Sequence, residues 1–140
     1  MLKNNKFEIL DVFKAKPLIA ELPLCTVVME DKEFPWVLLI PRRKNVLQIN
    51  QLPARSQLQL MREINAVSNI MEKLFPCDRL NVAAIGNKCP QLHLHIICRT
   101  KNDSLWPETV WGKEMQKLTD EELKSRLEKI RHAFTESVFD

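Results

Sequence analysis

Glycine is scarce in this sequence, and it lacks the long apolar runs of a membrane protein. Only two of the 140 residues are glycine, which argues against a low-complexity or linker-rich chain. No window reaches the ~18 apolar residues that a membrane span requires, and the lysines near the N-terminus are not followed by the apolar stretch of a secretory signal. These absences predict a cytoplasmic protein with no membrane partner.

Paired cysteine motifs are absent as well. The four cysteines stand at positions 25, 77, 89 and 98, and none form a C-x-x-C pair, which excludes a zinc ribbon. Without a secretory signal, we expect all four to be free thiols.

The composition is that of a globular protein of ordinary domain size. Hydrophobic residues make up 45% of the chain and charged residues 28%, so a core can form without disulfides or metals. We expect a single domain over residues 1–140. The formal net charge of +3 suits a phosphate-bearing ligand. It is well short of the concentrated basic surface of a nucleic-acid-binding protein, so we expect no nucleic-acid partner.

Two short apolar runs and one amphipathic stretch predict the first half of the fold. Residues 24–29 and 36–40 are rich in β-branched and apolar side chains and flank a charged segment with proline, which predicts an antiparallel hairpin. Between Pro53 and Phe75, apolar residues recur at helical spacing and predict a long central helix. The apolar stripe consists of Leu60, Ile64, Val67, Met71 and Leu74.

The second half predicts another hairpin and a C-terminal helix. Residues 81–85 and 91–99 have strand-like patterns on either side of a turn. Thr119 and Glu122 have the spacing of a capping box, so a helix is expected over about 119–138. Strands that pair mainly with their sequence neighbours, around one long helix, imply an α+β domain with a largely antiparallel sheet.

Two of the three histidines lie two residues apart in the last predicted strand. Because side chains alternate between the faces of a strand, Gln91, His93 and His95 share one face, and the opposite face, which includes Cys98, is expected to be the core. With backbone positions about 6.6 Å apart, the two imidazoles can contact the same small ligand. Chance placement of polar residues on a solvated face explains the pattern about as well.

Two kinds of chemistry fit these histidines. A histidine can accept a phosphoryl group when one ring nitrogen is unprotonated and the other donates its proton to a fixed acceptor, such as a backbone carbonyl. A second histidine can protonate the leaving oxygen, and Asn87 and Lys88 can hold phosphate oxygens. The alternative is a metal site completed by Cys89 or Cys98. It is the weaker interpretation because Cys98 alternates to the buried face and residues 86–99 contain no carboxylate.

Gln91-Leu-His-Leu-His-Ile-Ile resembles the signature of the histidine-triad family, His-φ-His-φ-His-φ-φ with φ apolar, except that Gln replaces the first histidine. Trp36-Val-Leu-Leu-Ile-Pro-Arg-Arg is similar to the family's strand before its first active-site corner, and the order of elements corresponds over about 24–112. The combination of Gly86-Asn-Lys-Cys-Pro-Gln-Leu-His-Leu-His with the downstream Trp106-Pro-Glu-Thr-Val-Trp-Gly112 is similar to a bacterial subgroup of the family in which Gln replaces the first motif histidine. The resemblance implies a HIT-like fold and a homodimer whose sheets join across the interface.

The resemblance also implies an activity: hydrolysis or transfer at the α-phosphate of a nucleoside phosphate or polyphosphate conjugate, with no obligatory metal and no cofactor. His93 matches the nucleophile that forms a nucleotidyl-histidine, and His95 matches the histidine that contacts the phosphate or leaving group. Gln91 matches the position whose main-chain carbonyl orients the nucleophilic ring. Gln91 and Lys44 leave an alternative open, a nucleotide-binding or sensing protein with weak or no turnover.

By the same resemblance, Asn87 and Lys88 match turn residues that bind phosphate. Lys44 falls where several relatives carry an additional histidine, and a lysine there can neutralise phosphate. Arg99 and the Arg42–Arg43 pair are expected to be solvated charges at strand ends.

Two further positions are open to two interpretations each. Asp31 lies near the place of a ribose-binding acid in the family, but a solvated turn aspartate explains it equally well. Trp111, like Trp106, can close over a base or a partner's site, or serve in packing.

Overall fold

The structure is a computed structural model that describes residues 6–137. Three α-helices and five strands are present in this part of the chain. The helices are α1 (Asp11–Lys14), α2 (Ala54–Leu74) and α3 (Asp120–Thr135), with one 3-10 turn at Ile49–Gln51. The strands are β1 (Leu18–Glu21), β2 (Cys25–Met29), β3 (Trp36–Pro41), β4 (Arg79–Ala83) and β5 (Leu94–Arg99).

The five strands form one sheet in the order β1-β2-β3-β5-β4, and every neighbouring pair is antiparallel. Both predicted hairpins are present, as β2–β3 and β4–β5, and the predicted α+β class is confirmed. The long connection through α2 places β5 beside β3 and leaves β4 at an edge. β1 and α1 were not predicted, because four residues are too few to show a periodicity.

The last hairpin differs from its predicted bounds. β5 begins at Leu94, three residues later than expected, because Pro90 has no N–H to donate and the N–H of Gln91 bonds to the Cys89 carbonyl in a tight turn. The N–H of Leu92 then bonds to the Val46 carbonyl. His93 therefore lies in a loop that leads into β5, held by the segment that follows β3.

The two long helices occur where the sequence predicts them. Pro53 precedes the first residue of α2 and Phe75 caps its last turn. Thr119 and Glu122 form the reciprocal capping box of α3, whose last residue is Thr135. Position 138, where the prediction ended, lies outside the described residues. None of the helices between residues 6 and 137 combines the length and apolarity needed to cross a membrane.

Both faces of the sheet are covered, which corrects the expectation of a core on one face only. The central strand β3 is buried along its whole length, so each of its faces needs an apolar cover. α2 and α3 cover the face that includes Cys98. A second apolar cluster covers the face of the histidines; its buried members are Phe13, Val28, Phe34, Trp36, Leu38, Ile40, Ile97 and Val110.

Arg99 is not the solvated strand-end charge that the sequence suggested. It is 1% exposed, and its guanidinium donates to both carboxylate oxygens of Asp103, at 2.7 and 3.0 Å. Its Cζ lies 5.1 Å from the centre of the Phe34 ring and 5.9 Å from that of Trp106. The charge can be buried because a two-pronged ion pair and aromatic faces replace its water. Burial alone raises the pKa of Asp103, but the hydrogen bonds from Arg99 and the backbone hold it below its ordinary value.

A buried carboxylate on α2 joins the helix to the start of β2. Glu63 is 1% exposed and accepts hydrogen bonds from the backbone N–H groups of Leu24 and Cys25, at 2.9 and 2.8 Å. Gln59, one turn earlier, donates to the same carboxylate. Burial, followed by the nearby charge of Glu63, raises the pKa of the Cys25 thiol, so this cysteine stays protonated and acts as a core residue.

Candidate active site

His93 is held with one ring nitrogen against a backbone carbonyl. Its Nδ1 lies 2.8 Å from the carbonyl oxygen of Gln91. A carbonyl oxygen can only accept, so Nδ1 carries a proton, and in the neutral ring Nε2 keeps the lone pair. This is the geometry that the resemblance implies for a nucleophilic histidine. It depends on the main chain of Gln91 and not on its side chain.

The surroundings of the His93 ring come from two further segments. The ring of Phe13, in α1, lies 4.8 Å from it between centroids. On the other side, a Cβ built at Gly86 would lie 3.2 Å from His93 Cε1, closer than most real contacts, so glycine lets the loop approach the imidazole. Phe13 was missed by sequence reasoning because α1 is only four residues long and far from the motif.

His95 has both ring nitrogens engaged. The indole N–H of Trp36 donates to Nδ1 at 3.1 Å, so the proton of the neutral ring is on Nε2, which lies 3.2 Å from the Ile85 carbonyl. Burial lowers the pKa of His95 from 6.5 to about 4, with smaller contributions from the charges of His93 and Lys16, although the hydrogen bond to Ile85 opposes the shift. His95 is therefore a neutral hydrogen-bond donor near pH 7.

The two imidazoles and two tryptophans form a continuous set of ring contacts. The ring centroids of His93 and His95 are 4.9 Å apart in an edge-on arrangement. Trp111 lies 5.2 Å from the His95 ring and 6.3 Å from that of Trp36. The structure thus brings Trp111 to the histidines, as one wall of their surroundings, whereas Trp106 contacts Arg99 at the other end of β5.

The side chain of Gln91 binds the N-terminal segment. Its Nε2 donates to the Glu8 carbonyl at 2.9 Å, and its Oε1 accepts from the Leu10 N–H at 3.0 Å. An amide has the donor and the acceptor that these two backbone groups require. Gln91, which replaces the first histidine of the motif, therefore fixes the backbone of the segment that leads to Phe13.

Asn87 and His93 line the same cleft of about 200 Å³, which we call the His93 cleft. Lys88, in the same loop, is exposed to solvent. The residues that line the His93 cleft are Leu47, Gln48, Ala84, Gly86, Asn87, Leu92 and His93.

Lys44 lies in a neighbouring cleft of about 420 Å³, which we call the basic cleft. Gln91 and Leu47 also line it, and Leu47 is shared with the His93 cleft. The complete lining of the basic cleft is Lys6, Phe7, Glu8, Leu10, Arg43, Lys44, Asn45, Val46, Leu47, Pro90 and Gln91.

Asp31 is not brought to the histidines. It follows β2, and its carboxylate oxygens lie 3.7 Å from Lys32 Nζ and 4.0 Å from Lys117 Nζ. Across the sheet, His95 aligns with Leu38 and then with Val28, so Asp31 is displaced by three strand residues, about 10 Å. Its contacts are those of a turn aspartate that pairs with surface lysines.

The arrangement is poorly suited to the metal alternative. Both nitrogens of His95 and the Nδ1 of His93 are bonded to protein groups, and Cys98 is buried on the opposite face. Within residues 6–137, no group of three or more His, Cys, Asp or Glu side chains is arranged to hold a metal ion. Of the ring nitrogens of these two histidines, Nε2 of His93 is the one without a hydrogen bond to the described part of the protein.

Comparisons with known proteins agree on one family. The family model described as the HIT domain matches residues 14–102. A crystal structure of a histidine triad protein from Bradyrhizobium japonicum superposes with a TM-score of 0.86 at 36% identity, covering 91% of this chain and 98% of that one. A histidine triad protein from Marinobacter aquaeolei VT8 superposes with a TM-score of 0.88 at 36% identity, covering 95% of this chain and 99% of that one. A third structure, of a histidine triad protein from Sinorhizobium meliloti 1021, superposes with a TM-score of 0.84 at 28% identity, covering 91% of this chain and 96% of that one. A comparison with curated proteins found no match.

Proposed function

This chain belongs to the histidine-triad (HIT domain) family, and from that premise we propose that it is a nucleotide phosphate hydrolase or nucleotidyl transferase. The proposed reaction occurs at the α-phosphate of a nucleoside phosphate or polyphosphate conjugate, through a covalent nucleotidyl-histidine. The observation that carries the proposal is the 2.8 Å contact between His93 Nδ1 and the Gln91 carbonyl. It fixes the tautomer that a nucleophilic imidazole needs.

The first step is attack by the lone pair of His93 Nε2 on the α-phosphorus. The N–P bond forms while the bond from phosphorus to the leaving group breaks, and the leaving group departs with that electron pair. As the ring gains positive charge, the Gln91 carbonyl stabilises the Nδ1–H. In the second step water attacks phosphorus and releases a proton to solvent, and the P–N bond breaks, returning the lone pair to Nε2. A second acceptor in place of water gives transfer.

The remaining site residues have supporting roles in the proposal. The Nε2–H of His95, bonded to Ile85 in this structure, turns to the phosphate or leaving oxygen and assists its departure as a hydrogen-bond donor. Asn87, which lines the His93 cleft, and the exposed Lys88 hold non-bridging phosphate oxygens. Lys44 adds positive charge from the basic cleft, and Trp111 walls the site beside His95.

Substitution of the nucleophile tests the proposal. His93→Ala should lower turnover of a nucleoside phosphoramidate or dinucleoside polyphosphate by ~10³-fold or more, while circular dichroism shows an unchanged fold. His132→Ala, at an exposed position of α3, is the matched control and should retain full activity. Full activity of His93→Ala would refute the mechanism.

A binding or sensing protein with weak turnover is the second candidate. The observation that favours it is that both nitrogens of His95 and the whole amide of Gln91 are engaged in contacts within the protein. Trapping of the intermediate decides between the two candidates. The bond between phosphorus and the imidazole is labile in acid, so the reaction is quenched without acid, and mass spectrometry then detects a nucleotidyl-protein if His93 reacts. Measurable nucleotide affinity with neither covalent species nor product, over a broad substrate panel, selects the binding protein.

A homodimer joined through β4 is part of the proposal. Within residues 6–137, β4 pairs on one side only, with β5. Beside it, Met61 (55% exposed) and Val82 (45% exposed) line a groove of about 650 Å³ between α2 and β4. An open strand edge next to exposed apolar side chains is a surface that a second copy can cover. We also propose a cytoplasmic location, in keeping with four free thiols.

Sedimentation equilibrium tests the dimer. Wild-type protein should sediment as a dimer and Val82→Lys as a monomer. Leu18→Lys, at an exposed apolar position of the opposite edge strand β1, is the control and should remain dimeric. A wild-type monomer at micromolar concentration contradicts the proposal.

A further inference from the structure

The chain that follows β5 turns back over the histidine face of the sheet. The HIT domain model matches residues 14–102, and we call residues 103–116, which lie after that match, the return segment. Its Trp106 ring lies 5.9 Å from the guanidinium carbon of Arg99, and its Trp111 ring lies 5.2 Å from that of His95. Positions 95 and 99 share one face of β5 because strand side chains alternate. The return segment therefore contacts that face of the strand at two positions.

A buried ion pair anchors the start of the return segment. The side chains of Arg99 and Asp103 are 2% and 9% exposed, and each carboxylate oxygen of Asp103 accepts from the guanidinium. The same oxygens accept from the backbone N–H groups of Thr100 and Leu105, at 3.2 and 3.0 Å. Arg99 also donates to Asn81 in β4, at 3.1 Å. The ion pair fixes the direction of the chain at this point, since a different direction would leave a buried charge without its partner.

Glu33, between β2 and β3, joins the two ends of the return segment. Its carboxylate accepts from the Ser104 hydroxyl at 3.0 Å, and its backbone N–H donates to the Gln116 carbonyl at 2.9 Å. Between these ends, Val110 is fully buried in the second apolar cluster. Contacts on both sides in the chain thus set the position of Trp111.

Trp111 adds to the burial of His95, which is 6% exposed. Trp36 contacts the imidazole from β3 at 5.7 Å, and Trp111 contacts it from the return segment. Burial is the largest cause that lowers the pKa of His95 to about 4, because a charged imidazole loses its water there. The titratable groups whose charges act on the ring are His93 and Lys16, and both belong to other segments.

We propose that the buried ion pair positions the return segment for the proposed reaction, so that Trp111 shields His95 from water. Arg99 and Asp103 are thus positioning residues that act through Trp111. The inference rests on the proposed function, in which His95 serves as a neutral hydrogen-bond donor. Displacement of the return segment lets water reach the imidazole, and the ring then accepts a proton more readily.

Titration of the His95 imidazole, followed by nitrogen-15 NMR, tests the shielding without any need for turnover. In Trp111→Ala the midpoint should move upward from the wild-type value by roughly one pH unit or more. In Trp111→Phe, which keeps an aromatic ring at the position, the midpoint should move less. A wild-type midpoint in Trp111→Ala overturns the inference.

Asp103→Asn tests the anchor, because it keeps the size of the side chain and removes the charge that faces Arg99. The His95 midpoint should move upward, as in Trp111→Ala. Glu63→Ala is the matched control for lost stability: it removes a buried carboxylate from α2, on the opposite face of the sheet, and should leave the midpoint at the wild-type value. A role of Asp103 in stability alone predicts no movement in either variant, and that result overturns the inference.

A second variant covers the case in which Asp103→Asn does not fold. Arg99→Lys keeps a cation beside Asp103 but loses the two-pronged contact, and it should also move the His95 midpoint upward; a wild-type midpoint there overturns the inference. The outcome is separate from that of the proposed function. If wild type turns over no nucleotide substrate, the proposed function fails, and the titrations still decide whether the ion pair and Trp111 control the access of water to His95.

Discussion

The indole N–H of Trp36 donates a hydrogen bond to Nδ1 of His95 across adjacent strands, at 3.1 Å. Trp36 is paired with Ile97, so it lies diagonally opposite His95 on the same face of the sheet. The bond assigns the proton of the ring to Nε2 and directs it at the Ile85 carbonyl. One strand-to-strand contact thus sets what the second histidine can do in a reaction.

Removal of that donor should change the protonation of His95. In Trp36→Phe the Nδ1 lone pair has no donor, so protonation at Nδ1 no longer has to displace a hydrogen bond. The pKa of His95 should rise above about 4, although burial still holds it below its ordinary value, and the Nδ1–H tautomer should become accessible. Nitrogen-15 NMR of the imidazoles across a pH titration measures both quantities. A ring that remains in the Nε2–H form with an unchanged pKa contradicts the assignment.

Acid should destabilise the fold through His95. Its folded pKa is about 4, below the ordinary 6.5, so the unfolded chain binds more protons between these values. Stability contributed by the neutral buried ring is present above about pH 6.5 and is lost as pH falls toward 4. The difference between the two pKa values corresponds to about 3 kcal/mol over that window. Asp103, whose folded pKa is depressed, adds a loss in more acidic solution.

Urea denaturation at a series of pH values measures this dependence. The free energy of unfolding should fall between pH 6.5 and 4 in the wild type and much less in His95→Gln. His132→Gln, altered at the exposed histidine of α3, should keep the wild-type slope. A wild-type stability that is flat over this range contradicts the prediction.

Elements with a long repeated pattern could be predicted from the sequence. α2 and the β2–β3 hairpin follow directly from the spacing of their apolar residues, and the Thr119 capping box locates the start of α3. β1 and α1 are too short for such a pattern. Arg99 shows a second limit: a charge at a strand end is exposed by default, and only the fold supplies Asp103 and the aromatic faces that bury it.

Within the site, the motif located His93 and His95 but not their environment. Trp36 is 59 residues from His95 in the sequence, and its role depends on β3 lying beside β5, an arrangement set by the crossover through α2. The hydrogen bond from the Gln91 side chain to the Glu8 carbonyl spans an even longer separation in sequence. Neither contact leaves a local pattern, since both arise from the way distant segments pack.

Glu63 should be among the most sensitive positions for stability outside the site. Glu63→Ala leaves the N–H groups of Leu24 and Cys25 without their acceptor in a buried position and should cost about 3 kcal/mol of unfolding free energy. Thermal and urea unfolding measure the loss. Glu128→Ala, at an exposed site of α3, is the control and should change stability by less than ~0.5 kcal/mol. A cost below about 1 kcal/mol for Glu63→Ala would mean that water replaces the carboxylate.

Gln91→Glu should separate the side chain of this residue from its main chain. The substituted carboxylate can still accept from the Leu10 N–H but cannot donate to the Glu8 carbonyl, so the N-terminal segment should loosen. Hydrogen exchange at the Leu10 amide should accelerate at least ten-fold relative to wild type. The Nδ1 of His93 should keep its bond to the Gln91 main chain, and its tautomer, read by nitrogen-15 NMR, should not change.

The kinetic consequence of Gln91→Glu follows from the same separate roles of the Gln91 side chain and main chain. The loosened wall and the added negative charge act on the basic cleft, so KM for a polyphosphate substrate should rise several-fold while kcat falls less. Asn102→Asp introduces the same charge at an exposed position after β5 and should alter neither constant. If Gln91→Glu instead lowers kcat while KM and Leu10 exchange stay at wild-type values, the amide acts on the reacting groups and not on the N-terminal segment.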